Sequence, residues 1–142
     1  MRYVTIKALT EKQFTIFGGN QWRGFCHVDD ATTAYIKCLE IPIGDVKGQI
    51  FNVVTENYKI IDIGNLVKSR VDCEMDVREK EEDIRNYCIS NNKLKCKLHY
   101  KFKHSVTDGI EDIKFTFKKG KYEDYPHKKY SNIEWLRECY DY

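Results

Sequence analysis

The amino-acid sequence predicts a mixed α/β fold, and three observations carry that expectation. Two short runs, Phe14-Thr15-Ile16-Phe17 and Gln49-Ile50-Phe51-Asn52-Val53-Val54, have the β-branched and aromatic make-up of strands. The second is nearly continuous in apolar character, as a parallel strand covered on both faces should be. After Asp29 and Asp30, residues Ala31, Ala34, Tyr35, Cys38 and Leu39 recur at the spacing of an amphipathic helix. Further on, Ser105-Val106-Thr107-Asp108 has the capping-box pattern, and Val106, Ile110, Ile113 and Phe117 continue at helical spacing until Gly120.

Taken in order, residues 3–9 place Tyr3, Ile6 and Leu9 three apart and fit either a helix or a strand. The strand at 14–17 ends in Gly18-Gly19-Asn20, a turn that tolerates unusual backbone angles. A single arginine, Arg23, then precedes Phe25-Cys26-His27-Val28, short enough to be a buried strand. Asp29 and Asp30 offer a carboxylate cap to the helix behind them, which should stop at Ile41-Pro42. Gly44 and Gly48 announce the strand at 49–54, and Asp62 is expected to cap a helix with Ile63, Leu66, Val67 and Val71 on its inner face. The Lys- and Glu-rich stretch from Arg78 to Asp83 reads as a flexible loop. Ser90 or Asn91 starts a short helix that turns Leu94 and Leu98 inward. The expectation is a few strands, some parallel, and about four helices, with a body over 1–120 and a tail over 121–142.

At 142 residues the chain has the size of one ordinary domain, and its 32% charged and 42% hydrophobic residues suit a globular protein. No apolar run approaches the roughly 20 residues that span a bilayer. Met1 leads into a mixed polar segment with no secretory signature, so a cytoplasmic location and no membrane partner are expected. The six cysteines are scattered without a C-x-x-C pair and read as ordinary reduced residues. The four histidines show no ligand spacing, so no metal is expected. A net charge of +2 does not advertise a nucleic-acid partner, and the basic runs Lys93–Lys103 and Lys114–Lys121 read as solvated helix faces.

The stretch Arg23-Gly24-Phe25-Cys26-His27-Val28-Asp29-Asp30 resembles the Arg-Asp-aromatic-x-His-Val-Asp-Asp segment of the extended short-chain dehydrogenase/reductases, the NAD-dependent nucleotide-sugar epimerases and dehydratases. Further segments follow in the family's order: Phe14 to Gly19 before the arginine, Gln49 to Val54 with Asn57-Tyr58-Lys59-Ile60, Asp83-x-Arg85-x-Tyr87, Lys93 to Leu98, and Ser105 to Ile113. Even Asp124-Tyr125 with Tyr130-Ser131-Asn132 is similar to the close of some members. The chain departs from the pattern at Val54 and His99, where glycine is common, and at Gly24, where the family usually has aspartate.

The resemblance implies the carboxy-terminal, substrate-binding portion of such an enzyme, without the amino-terminal Rossmann dinucleotide-binding core. It implies that Arg23 and Arg85 clamp the diphosphate of a UDP- or dTDP-sugar, a role suited to the planar donor fork of guanidinium. Asn52 and Tyr87 would contact the nucleotide or phosphate. On the residues alone each has a plainer reading: Asn52 satisfying a backbone group, Tyr87 in the core, Arg85 in a surface ion pair with Glu81, Glu82 or Asp83. NAD(P) is expected for the complete family enzyme and no cofactor for this chain alone. No G-x-x-G-x-x-G surrounds Gly18-Gly19. The Tyr-x-x-x-Lys at Tyr125–Lys129 sits in a proline-interrupted tail, so no catalytic residue is assigned. His27, Asp29 and Asp30 read as structural. The alternative is a non-catalytic assembly module of the same fold that docks a Rossmann partner or self-associates.

Overall fold

The computed structural model describes residues 1–79, 85–121, 125 and 135–137. Its elements, in chain order, are α1 (Arg2–Glu11), β1 (Gln13–Phe17), β2 (Trp22–Phe25), α2 (Val28–Glu40), α3 (Ile43–Val46), β3 (Glu56–Lys59), α4 (Ile60–Lys68), β4 (Glu74–Arg78), α5 (Asn92–Leu98) and α6 (Val106–Lys118). The strands form two small sheets. β1 pairs in parallel with β4, and β2 pairs antiparallel with β3, Arg23 opposite Tyr58 and Gly24 opposite Asn57.

Apolar spacing explains the larger of two cores. Phe14 and Ile16 alternate inward from β1, while Ile63 and Val67 descend from α4, Val71 from the turn after it, and Val106 and Ile110 from α6. Ile6 and Ala8 on α1 are fully buried. The smaller core joins Ala34 of α2 to Leu94, Leu98 and Tyr100 around α5. Between β1 and β2 the chain reverses through Gly18 and Gly19, at φ 75° and 120°. A Cβ at Gly18 would lie 2.9 Å from Gln21 Oε1. That side chain closes the turn, accepting from the Gly19 N–H at 2.7 Å and donating to the Phe17 carbonyl at 2.9 Å.

The capping box foreseen at Ser105 is present in full: the Ser105 hydroxyl accepts from the Asp108 N–H, and the Asp108 carboxylate accepts from the Ser105 N–H. Glu56 of β3 adds an acceptor for the Val106 N–H at 2.7 Å, fastening the second sheet to the start of α6. Bonds from Ser105, first its backbone N–H and then its hydroxyl, hold the Asp108 carboxyl below the ordinary range.

Asp30 is fully buried, and its carboxylate accepts the backbone N–H groups of Lys103 and His104, both at 3.0 Å. Its carbonyl accepts from the Tyr100 hydroxyl at 2.6 Å. One residue of α2 thereby holds the whole segment between α5 and α6.

Several sequence expectations need correction. The strand placed at Phe25–Val28 lies at Trp22–Phe25, and α2 begins at Val28 with His27 as its N-cap, not Asp29 or Asp30. Imidazole Nδ1 of His27 accepts from the Asp29 N–H at 3.3 Å, so the cap is a ring nitrogen and not a carboxylate. Of the predicted α2 stripe only Ala34 is buried; Tyr35 and Leu39 are 74% and 86% exposed. Residues 49–54 are not a strand, because their polar groups go to the segment after position 85: Asn52 donates to the Ser90 carbonyl and Asn91 donates to that of Val54. The strand comes later, at Glu56–Lys59, and is antiparallel. Residue Asp62 makes no cap, since α4 starts two residues earlier with Lys59 at its N-cap. Arg78 ends a strand, β4, and residues 80–83 of the loop expected there lie outside the described residues. Most of the 121–142 tail lies outside them too.

Two outcomes follow. Asp30→Ala should lower stability by about 3–5 kcal/mol, because it leaves two backbone donors without their charged acceptor; Asp30→Asn, with one acceptor oxygen, should fall between it and wild type in urea denaturation. The folded-state pKa of Asp108 is depressed, so its contribution is present above the unfolded carboxyl value and is lost as pH falls through the folded value. Asp108→Asn should therefore flatten the acid limb of a stability-versus-pH curve and leave its neutral region nearly parallel to wild type.

Candidate functional site

The turn at Gly18-Gly19 delivers β2, and β2 carries Arg23. Along the edge of β2 away from β3 runs the segment 85–91. Asn86 Oδ1 accepts the Trp22 N–H at 2.9 Å, and the Tyr87 N–H reaches the Trp22 carbonyl at 3.4 Å. The segment is held from the other strand by Asn57, whose amide donates to the Ile89 carbonyl at 3.0 Å and accepts the Ile89 N–H at 2.9 Å. An asparagine side chain thus substitutes for a strand neighbour.

Nη1 of Arg23 donates to its neighbour Trp22's carbonyl at 2.7 Å and to the carbonyl of Arg85. Its guanidinium carbon lies 5.2 Å from the centroid of the Tyr87 ring. Three of the four predicted site residues, Arg23, Arg85 and Tyr87, are therefore neighbours, though 62 positions separate the two arginines. Tyr87 is 46% exposed and is not core. The fourth residue, Asn52, is exposed and donates to the Ser90 carbonyl at 3.2 Å, on the same segment but farther along it. Glu81, Glu82 and Asp83, the ion-pair alternatives for Arg85, lie outside the described residues.

The structure accounts for Gly24. A Cβ there would lie 3.0 Å from both Ile89 Cδ1 and Val54 Cγ1. Those side chains close directly over the β2 backbone, so the face that would bear an aspartate is occupied by hydrocarbon. Asn57, opposite Gly24, is the site-building residue that sequence reasoning missed. Its signal was faint, one asparagine in a polar tetrapeptide.

The Gly18-Gly19 turn does not fit a dinucleotide pyrophosphate. Gly18 N–H is taken by the Arg78 carbonyl at 2.8 Å and Gly19 N–H by Gln21, and the turn leads into a strand, with no helix N-terminus to receive an anion. The Tyr125–Lys129 pair falls outside the described residues apart from Tyr125. A second literal Tyr-x-x-x-Lys, Tyr3 to Lys7, escaped the sequence reading. Lys7 Nζ lies 5.4 Å from the Tyr3 ring centroid and 3.4 Å from Glu11, the geometry of neighbours on one helix face. Contacts with Tyr3 and then Glu11 raise the Lys7 ammonium above its ordinary value. Among the described residues, Cys26, Cys38, Cys73, Cys88 and Cys96 are free thiols. Burial raises Cys26 and Cys73.

A model of the NAD dependent epimerase/dehydratase family matches residues 1–53. Comparison with curated proteins finds no match. Among solved structures, UDP-glucuronic acid 4-epimerase from Bacillus cereus, in complex with UDP-glucuronic acid and NAD, is similar at 26% identity and TM-score 0.63, over 78% of this chain and 37% of that one. UDP-glucose 4-epimerase from Thermotoga maritima, with UDP-glucose, shares the fold at 24% identity and TM-score 0.70, over 83% of this chain and 38% of that one. L-threonine dehydrogenase from Clostridium difficile shares it at 14% identity and TM-score 0.69, over 82% and 40%. The chain thus spans about two fifths of the length of these structures. The family model thus matches the first 53 residues of this chain, and a UDP-sugar epimerase structure is similar over most of it.

Proposed function

We propose that this chain supplies the nucleotide-sugar-binding part of an NAD-dependent epimerase or dehydratase, taking a UDP- or dTDP-sugar, and does not carry out redox chemistry by itself. The observation that carries the reading is the hydrogen bond from Arg23 to the Arg85 carbonyl, which puts two guanidinium-bearing residues on one strand edge. A diphosphate offers paired anionic oxygens, and two planar donor forks match them better than two point charges would. Tyr87, against the Arg23 guanidinium, restrains its direction and offers a ring face to the ligand. Asn52 extends the polar lining along the same segment.

NAD(P) serves the complete family enzyme by accepting and returning hydride. In this chain the turn that resembles a glycine-rich loop has its N–H groups committed elsewhere, so the residues that would seat the cofactor are assigned to a portion of the enzyme beyond this chain. What the chain does is hold and orient the nucleotide sugar while that other part acts on it.

Non-catalytic assembly is the second reading, favoured by the exposure of Tyr35, Leu39 and Ile43 at 74%, 86% and 73% along α2 and α3. It predicts self-association by size exclusion, abolished by Leu39→Glu, with no response to nucleotide sugar.

Calorimetric titration with UDP-glucose, UDP-glucuronic acid and NAD tests the main reading. Weak UDP-sugar binding is expected, reduced about tenfold or more by Arg23→Ala and by Arg85→Ala, the loss of a charge-assisted contact of about 1.5–3 kcal/mol. Tight NAD binding, or UDP-sugar binding indifferent to Arg23→Ala, would overturn it.

A further inference from the structure

Away from the arginine edge, a cleft of about 610 Å³ opens beside α5 and the segment that follows it. Its lining joins Lys95, His99 and Lys101, all exposed, to the more deeply set Tyr100 and Phe102. None of Arg23, Asn52, Arg85 and Tyr87 lines it. We propose that this cleft binds a nucleoside monophosphate, with the phosphate among the cations at the mouth and the base against the aromatic wall.

The charge of the chain is segregated here. Positions 84–107 contain no aspartate or glutamate, yet Lys93, Lys95, Lys97, Lys101 and Lys103 fall within them. A chain whose net charge is only +2 has therefore gathered positive charge in one place. Helix α5 turns Leu94 and Leu98 fully inward, which leaves Lys95 and Lys97 in solvent. Among the described residues no carboxylate pairs with Lys95, His99 or Lys101. Asp30 approaches this loop from beneath, but it is fully buried and its oxygens accept the backbone N–H groups of Lys103 and His104.

His99 supplies an independent observation. It follows α5 at φ 47° and ψ 37°, in the left-handed region that glycine enters without steric cost. An imidazole is thus kept at the mouth of the cleft, at a position where the backbone alone favours glycine. Strain of this kind is found where a side chain serves a site.

The aromatic wall selects the other half of the ligand. Tyr100 and Phe102 meet edge to face, with centroids 5.1 Å apart and an interplanar angle of 83°. The Tyr100 hydroxyl is engaged by Thr33 and by the Asp30 carbonyl, so the residue serves the cleft as an apolar surface. Lys95 Nζ lies 5.8 Å from the Phe102 centroid, which puts an ammonium and a ring within reach of one ligand. Bases of any identity stack on such rings. Lysines meet phosphate as point charges without a fixed fork, and a phosphate monoester carries about 1.5–2 negative charges at neutral pH, against one for a carboxylate. The volume also suits a small molecule, whose sites span about 300–1,000 Å³.

Backbone amide shifts followed by NMR, while AMP, adenosine and inorganic phosphate are added to the full chain, test the site. AMP should move Lys95, His99 and Lys101 along one saturating curve, and adenosine and phosphate, each lacking one half of the contacts, should bind about tenfold or more weaker. The double variant Lys95→Gln with Lys101→Gln should weaken AMP about tenfold or more, and added salt should weaken it in wild type. Phe102→Leu should weaken AMP and leave phosphate unchanged. His99→Gly should weaken AMP without lowering the unfolding temperature, because glycine fits the left-handed backbone. Circular dichroism verifies the fold of each variant. No response of wild type to AMP, AMP binding unchanged in the double variant, phosphate as tight as AMP, loss of AMP binding in Arg23→Ala, or binding of octa-adenylate with none of AMP would each overturn the assignment.

Discussion

Asp30 is the carboxylate around which the two cores of this protein are joined. It lies in the first turn of α2, fully buried, and its two oxygens take the N–H groups of Lys103 and His104, while its own carbonyl receives the Tyr100 hydroxyl. A buried charge is tolerated only when its lone pairs are used, and here the donors are backbone groups that would otherwise be stranded under α2. The consequence is directional. Because the loop from Tyr100 to His104 is held, α5 is drawn against α2 on one side and α6 starts where Ser105, Asp108 and Glu56 can cap it. Because α2 is held, β2 leaves the Gly18-Gly19 turn along one line.

That line decides where Arg23 goes. β2 is only four residues long, paired on one side with β3 and flanked on the other by the segment 85–91, which Asn57 and Asn86 fasten with side-chain bonds. Val54 and Ile89 pack onto the strand backbone at Gly24. The family's usual aspartate would bury a charge among hydrocarbon here. Arg23 donates to two carbonyls and lies against the Tyr87 ring, contacts that orient its guanidinium.

Much of this was legible in the sequence where local chemistry decides the outcome. The Ser105–Asp108 capping box, the inward Leu94 and Leu98 and the strand at 14–17 depend on spacing within one element, and all three are present. Family order brought Arg23 and Arg85 into view together, and the fold makes them neighbours. The errors share one cause, partners far away in sequence. Residues 49–54 look like a strand but give their polar groups to Ser90 and Asn91; Asp30 looks like a cap but serves residues more than 70 positions on. His27 and His104 have no spacing to read, since only the approach of α2 to the loop before α6 stacks them. The exposure of Leu39 and Tyr35 shows the limit of periodicity: it identifies the apolar face of a helix but not whether anything covers it.

The central claim is that Arg23 and Arg85 act as one diphosphate clamp at the edge of β2. The most direct measurement follows the arginine side-chain Nε–Hε resonances by NMR while UDP is added to the full chain. The account predicts that the Arg23 and Arg85 signals move together along a single binding curve, and that uridine, which lacks the diphosphate, moves neither. Shifts confined to other arginines, or the same response to uridine as to UDP, would contradict it.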